Sequence, residues 1–84
     1  MRVYYDDKYR TLIACLKDLR VRKNVTQSEL AAILGRGQSY VSKYEQCQRR
    51  LDVLEVRQIC IALDSSLPEL VDEFENRLNE ENLK

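Results

Sequence analysis

Apolar residues recur every three or four positions along most of the chain, and this spacing predicts α-helices. Five such patterns cover about residues 9–23, 27–34, 38–46, 53–63 and 67–78. The positions expected to face a common core are Tyr9, Leu12, Ile13, Leu16, Leu19, Leu30, Ala31, Leu34, Val41, Tyr44, Leu54, Ile59, Cys60, Leu63, Leu67, Leu70, Val71, Phe74 and Leu78. No segment alternates as a strand would, so the pattern predicts a compact all-α bundle of five helices.

Local signals place the ends of several helices. Motifs that start at Thr26, Asp52 and Ser66 each carry a glutamate three residues later, which is the pattern of a capping box. Gly35 follows the second helix, where a glycine can adopt the left-handed conformation that ends a helix. Gly37 stands where the third helix needs an N-cap, and it is a weaker cap than Ser or Thr.

The length of 84 residues and the 44% hydrophobic content suit one small domain. We predict a short N-terminal arm over residues 1–8, one domain over residues 9–79 and a polar tail over residues 80–84. The N-terminus has no apolar segment of a signal peptide, and the longest apolar runs are five residues. A membrane span needs roughly 20, so we expect a cytoplasmic protein without a membrane partner.

Several kinds of chemistry have no residues to support them. The chain has no histidine, and its three cysteines are widely spaced, so we expect neither a metal site nor a cofactor. There is no glycine-rich phosphate loop, and a core of this size leaves little room for a substrate pocket. We therefore expect that the protein is not an enzyme.

The net charge of zero hides a strong asymmetry. Residues 1–50 hold 11 Lys or Arg and 5 Asp or Glu, a net charge of +6. Residues 51–84 hold 3 Lys or Arg and 9 Asp or Glu, a net charge of −6. One half of the chain is therefore suited to a polyanion such as DNA, although a chance division of solvated charges remains the alternative.

The spacing between the second and third helices suggests how one helix face is presented. Ala31 is small enough for two helices to approach closely, and Gly35 permits the positive φ of a sharp corner. Val41 and Tyr44 then anchor one side of the third helix in the core. The side held outward carries Gln38, Ser39, Ser42, Lys43 and Gln46. A helix presented in this way can enter the major groove of DNA.

The stretch LKDLRVRKNVTQSELAAILGRGQSYVSKYEQ, residues 16–46, resembles the lambda-repressor-like helix-turn-helix family, also called Cro-like or XRE. The resemblance extends through the fourth helix and, more loosely, through the fifth, and it covers roughly residues 9–75. It implies a five-helix DNA-binding domain whose recognition helix spans about residues 38–46. It also implies a sequence-specific transcription regulator, with repression as the expected mode of action.

The resemblance also implies the residues that read bases. Gln38 would lead, since glutamine can pair with adenine N6 and N7, and Ser39 can serve either type of base. Lys43 can read guanine or bind a phosphate. Ser42 is either a reader or a structural or phosphate contact.

Contacts to the DNA backbone are implied for Gln27, Arg36, Tyr40, Gln46, Arg49 and Arg50. In the family, the counterpart of Gln27 touches a phosphate and braces the first residue of the recognition helix, here Gln38. Tyr40 has packing against the second helix as its alternative role. For Arg49 and Arg50 the alternative is a solvated loop.

Two further positions concern the structure around this helix. Arg20 and Glu45 occupy positions that pair in the family, and we expect them to tie the first helix to the third. Many relatives have glycine where this chain has Cys47, so either the backbone is strained at Cys47 or the loop before Arg49 bends differently.

One short helix reads too few base pairs for selective binding in a genome. We therefore expect a homodimer on a two-fold symmetric operator, with half-sites roughly one helical turn (~34 Å) apart. The dimer contact could involve the fifth helix, with Leu78 and Leu83, or the arm with Tyr4 and Tyr5. The alternative function is that of an antitoxin or adaptor that binds a protein partner through the acidic fifth helix.

Overall fold

The computed structural model describes residues 7–82, with side chains through residue 80, and in that part of the chain it contains five α-helices and no strand. The helices are α1 Asp7–Arg22, α2 Gln27–Leu34, α3 Gln38–Glu45, α4 Val53–Ala62 and α5 Leu67–Asn82. The predicted all-α fold is confirmed. Helix α5 continues through Asn82, so it includes the first residues of the segment expected as a tail. None of these helices is both long and apolar enough to span a membrane.

The core lies where the five helices meet. Helix α2 packs on α3 and α4, while α1 packs on α3 and α5. The largest fully buried side chains come from the first four helices and from the residue directly after α4: Leu16, Leu30, Val41, Tyr44, Ile59 and Leu63. Because each helix is short and marginal alone, this shared burial is what stabilises them.

Two positions expected in the core are exposed instead. Leu54 has 67% of its surface exposed, whereas Val56 is buried. The buried set Val56, Ile59, Cys60 and Leu63 follows one stripe of α4, and Leu54 is about half a turn away from Val56 on the helix. On α5, Val71 has 41% of its surface exposed, while its neighbour Leu70 is buried.

The helix starts follow the sequence closely in two cases. Thr26 and Asp52 form complete capping boxes with Glu29 and Glu55. The third box is incomplete. The Glu69 N–H does donate to Ser66 Oγ at 3.3 Å, but the Glu69 carboxylate accepts from the Ser65 and Ser66 hydroxyls.

Four helices end with a residue in the left-handed conformation: Asn24, Gly35, Cys47 and Asp64, with φ between 58° and 71°. After α3, the Cys47 N–H donates to Tyr44 O and the Gln48 N–H donates to Lys43 O, which is a Schellman motif. The loop therefore keeps the geometry that glycine favours, and Cys47 carries strain of about 1 kcal/mol. The chain bends there as a glycine would allow, and the strain is local.

Candidate nucleic-acid interface

Helix α3 is divided into a buried face and an exposed face. Val41 and Tyr44 are fully buried, and Gly35 makes the corner before the helix with φ +71°. Gln38, Ser39, Lys43 and Gln46 are exposed on the other side, and Ser42 is partly buried there. The structure thus brings together the five polar positions that the sequence places on one face.

Within this exposed face, two side chains are joined to each other. Gln46 Nε2 donates to Ser42 Oγ at 3.1 Å, one helical turn apart. Gln38 stands at the other end of α3 and lines an open cleft together with Gln27 and Thr26 at the start of α2. The cleft leaves the Gln38 side chain accessible beside the N-terminus of α2.

A polar network behind the exposed face ties three helices together. Arg20 of α1 donates from Nε and Nη2 to the two carboxylate oxygens of Glu45, at 2.7 and 3.0 Å. Its Nη1 donates to Val25 O at 2.8 Å. The hydrogen bond to Glu45 raises the pKa of the Arg20 guanidinium. The Arg20 and Glu45 side chains are only 11% and 3% exposed, so this is a largely buried bidentate ion pair.

Gln27 belongs to the same network, and its partner differs from the expected one. Its Nε2 donates to Glu45 Oε1 at 2.9 Å. The resemblance implied a brace from Gln27 to Gln38, but the donated hydrogen bond goes to the far end of α3. Gln27 therefore fixes the position of α3 through Glu45, while it still lines the cleft beside Gln38.

Tyr40 is the centre of a second cluster, which also contains Arg36, Arg49 and Glu55. Its side chain is buried, and its ring makes an edge contact with Tyr44. The guanidinium carbons of Arg36 and Arg49 lie 4.3 and 4.8 Å from the ring centroid. In this structure the Tyr40 ring is therefore occupied by buried packing and by two arginines, and its contact with the DNA backbone stays an untested prediction.

The Glu55 carboxylate contacts the other polar groups of this cluster. Its Oε2 accepts from Arg49 Nη1 at 2.9 Å and from the Tyr40 hydroxyl at 3.4 Å, and it lies 3.9 Å from Arg36 Nη2. The pKa of the Glu55 carboxyl is lowered, first by the hydrogen bond from the Asp52 N–H and then by Arg49. Burial and the Glu55 charge raise the pKa of the Tyr40 hydroxyl.

The loop after α3 is anchored to α1 through Tyr9. The Leu51 N–H donates to Tyr9 Oη at 3.1 Å, and the guanidinium carbon of Arg50 lies 4.6 Å from the centroid of the Tyr9 ring. Arg50 and Arg49 thus both stack on aromatic rings. A freely solvated loop is not what the structure has.

Sequence reasoning missed two residues that organise this surface, Tyr9 and Glu55. Tyr9 was assigned to the core stripe of α1, and Glu55 to the capping box of α4. Both assignments are confirmed. Their further contacts join residues 42 and 6 positions apart, and the local pattern around each residue carries no signal for them.

Similar structures are known. The chain matches an XRE-family-like protein from Pseudomonas syringae pv. tomato at 40% identity and a TM-score of 0.79, over 83% of this chain and 85% of that one. It also matches the restriction-modification controller protein C.Esp1396I at 20% identity and a TM-score of 0.82, over 89% and 97% of the two chains. A third match is the clp gene regulator ClgR from Corynebacterium glutamicum, at 24% identity and a TM-score of 0.74, over 89% and 96%. The last two likenesses concern the fold alone.

No curated protein matches the chain significantly. The model of the helix-turn-helix family matches residues 16–70, which is well over half of the chain. This stretch contains the α2–α3 corner, the buried ion pair and the arginine cluster. The chain therefore belongs to the XRE-type helix-turn-helix family, and its fold is that of a DNA-binding transcription regulator.

Proposed function

We propose that this protein is a cytoplasmic, sequence-specific transcription regulator that reads the major groove of double-stranded DNA with α3, as a homodimer, and represses by covering a promoter. The observation that carries the proposal is the division of α3. Val41 and Tyr44 fix the helix in the core, while its opposite face is polar and accessible. No charged carboxylate interrupts that face over residues 38–43.

The base-reading residues in this proposal are Gln38, Ser39, Ser42 and Lys43. Gln38 begins the helix and has the amide that pairs with adenine. Lys43 is exposed one turn further along and takes guanine or a phosphate. Ser42 is tied to Gln46, so the two act together on one base edge or phosphate.

Contacts with the DNA backbone come from Arg36, Arg49 and Arg50, which lie before and after α3, and from Gln27 and Gln46. These contacts position the protein without specifying sequence. Tyr40 supports them from beneath, since its ring holds Arg36 and Arg49. The acidic residues of α5 would face away from the phosphates.

A dimer supplies the length of DNA that one helix cannot read. Two copies related by a two-fold axis would place two α3 helices about one helical turn apart (~34 Å). Leu78 on α5 is a candidate contact, and it is partly buried within the single chain. Leu83 and the arm residues Tyr4 and Tyr5, the other candidates, lie outside the described residues.

Affinity for DNA against salt concentration tests the proposal. Each phosphate contact contributes about −0.9 to the slope of log affinity against log salt, so we expect a steep line. The variant Gln38→Ala should lose about tenfold or more on the preferred sequence and little on random DNA. Arg49→Gln should weaken both alike and reduce the slope by about 1. A flat salt dependence, or identical effects of the two variants, would contradict the proposal.

A second candidate function is that of an antitoxin or adaptor on the same fold. The observation in its favour is the acidic and exposed surface of α5, which carries Glu69, Asp72, Glu75 and Glu80. Replacing these carboxylates by amides should abolish capture of a partner and leave DNA affinity intact. Capture of a protein by a chain that has no affinity for any DNA would favour this function over the first.

A further inference from the structure

Glu55 makes contacts that its place at the start of α4 does not require. Its two carboxylate oxygens have different hydrogen-bond partners. Oε1 accepts from the Asp52 N–H at 3.0 Å and completes the capping box. Oε2 accepts from Arg49 and from the Tyr40 hydroxyl, and it also attracts Arg36. One side chain therefore links the start of α4 to both arginines that border α3.

Arg36 and Arg49 each contact two groups, an aromatic ring and a carboxylate. Arg36 and Arg49 have the ring of Tyr40 under their guanidinium groups and the Glu55 carboxylate at one nitrogen. The ring cannot move easily, because Tyr40 is buried and packs against Tyr44. An arginine side chain is long and otherwise flexible, so these contacts restrict where the guanidinium groups can lie.

Both arginines keep hydrogen-bond donors available. Their side chains are 44% and 37% exposed, and each guanidinium has five N–H donors in a planar fork. Glu55 accepts a hydrogen bond from one nitrogen of Arg49 and lies 3.9 Å from one nitrogen of Arg36, and the remaining donors can meet a phosphate oxygen. Restricting a flexible side chain before binding reduces the entropy that is lost on binding.

We propose that Glu55 is a positioning residue of the DNA interface, which acts through Arg36 and Arg49 by fixing both guanidinium groups before the phosphates arrive. This inference rests on the proposed function. It assigns to an acidic residue a favourable effect on binding to a polyanion. The competing view is that Glu55 only neutralises positive charge and thereby weakens binding.

The variant Glu55→Gln separates these views. Glutamine also serves at this position of a capping box, so α4 should still start correctly. Its single amide oxygen is then used by the Asp52 N–H, and its NH₂ group repels the arginine donors. The matched control is Glu69→Gln, which makes the same charge change at the same position of α5. In the described part of the chain, Glu69 makes side-chain hydrogen bonds to Ser65 and Ser66 at its own helix start and to no arginine.

Affinity is measured by titration on the preferred duplex and on a random duplex, each at low and high salt. We expect Glu55→Gln to weaken binding to both duplexes by about five- to tenfold, as for two side chains that must now be ordered on binding. The loss should persist at high salt, where the charge of Glu55 is screened. Glu69→Gln should bind as the wild-type protein does. Thermal unfolding of every variant establishes that the measurements concern folded protein.

A double-mutant cycle tests whether Glu55 acts through the arginines. In the background of Arg36→Gln with Arg49→Gln, the change Glu55→Gln should cause no further loss at low salt. An equal loss in that background would mean that Glu55 acts through the fold, and it would overturn the inference. Tighter binding of Glu55→Gln with a steeper salt dependence would also overturn it, in favour of charge neutralisation.

The result for the wild-type protein distinguishes the inference from the function on which it rests. If the wild-type protein binds no duplex, the proposed function fails and the inference with it. If the wild-type protein binds DNA and Glu55→Gln behaves like Glu69→Gln, the function stands and the inference alone fails.

Discussion

The Tyr44 hydroxyl is a buried polar group with no hydrogen-bond partner within the described part of the chain. The side chain is fully buried, and burial raises the pKa of this hydroxyl. Such a group loses its hydrogen bonds to water on folding, at a cost of about 1–3 kcal/mol. The ring anchors α3 in the core, and the oxygen atom works against that anchoring.

We predict that Tyr44→Phe raises the free energy of unfolding by about 1 kcal/mol, because it removes the unpaired hydroxyl and keeps the ring. Tyr40→Phe is the matched control. It removes a hydroxyl that does donate to Glu55, so it should lower stability slightly. Urea denaturation followed by circular dichroism measures both. A loss of stability in Tyr44→Phe as large as that in Tyr40→Phe would contradict the prediction.

Burial also determines how much each ion pair contributes to the stability of the fold. Arg20 and Glu45 are nearly buried together, whereas Arg22 and Glu73 are 54% and 28% exposed. Removing one partner of a buried pair leaves the other charge uncompensated, while water screens an exposed pair. The two pairs both reach from α1 and thus form a natural comparison.

We predict that Arg20→Met costs about 3 kcal/mol of stability and that Arg22→Met costs less than about 1 kcal/mol. Arg20→Met should also weaken DNA binding, since Glu45 would lose the partner that holds α3 against α1. Denaturant titration and DNA titration of the two variants check this. Similar losses of stability in the two variants would show that burial of the Arg20–Glu45 pair does not increase its contribution to stability.

At the scale of the helices, the corner between α2 and α3 depends on two glycines with different requirements. Gly35 has φ +71°, which favours glycine whatever the available space. Gly37 has φ −71° and ψ 157°, an extended conformation that any residue can adopt, and α3 has no side-chain cap there. A Cβ atom would meet nothing within 4 Å at either position, so only the backbone conformation separates them.

We therefore predict opposite effects at positions two residues apart. Gly35→Ala should lower the free energy of unfolding by about 1 kcal/mol, because alanine is strained at positive φ. Gly37→Ser should raise it by several tenths of a kcal/mol, since serine can supply the missing N-cap hydrogen bond. Thermal unfolding measures both changes. A stabilised Gly35→Ala or a clearly destabilised Gly37→Ser would contradict this account of the corner.

The helices themselves were predictable where the signal is local. The boxes at Thr26 and Asp52 and the glycine at position 35 act within one turn, and each was confirmed. Leu54 was assigned wrongly because α4 has apolar residues on more than one side. Periodicity in a helix of ten residues could not choose between the two stripes, and only packing against α2 and α5 decides it.

For the candidate interface too, local sequence predicts some features and long-range contacts determine the others. The outward face of α3 follows from the spacing of Val41 and Tyr44, and its exposure follows from their burial. The long-range contacts that hold the helices and loops together do not follow from the local pattern. Tyr9 reaches Leu51 across 42 residues, and Arg77 of α5 reaches Asp18 of α1 across 59. Such pairs become visible only when the helices are packed.

At the scale of the whole molecule, the two halves of the chain carry opposite net charge. The basic half of the chain contributes α1, α2, α3 and the arginines around α3, and the acidic half contributes α4 and α5. Opposite charges meet where α1 packs on α5, through Arg22 with Glu73 and Arg77 with Asp18. On the proposed function, the positive charge of the arginines and the lysine around α3 would attract that side of the molecule to DNA first.

The central claim is that α3 reads sequence, with Gln38 as its leading residue. Selection of binding sites from random duplex DNA, performed in parallel with the wild-type protein and with Gln38→Ala, tests it most directly. We expect the wild-type protein to select a two-fold symmetric site with half-sites about one turn apart, and Gln38→Ala to lose the preference at one position of each half-site. Selection of no common sequence by the wild-type protein, or of the same site by both proteins, would contradict the claim.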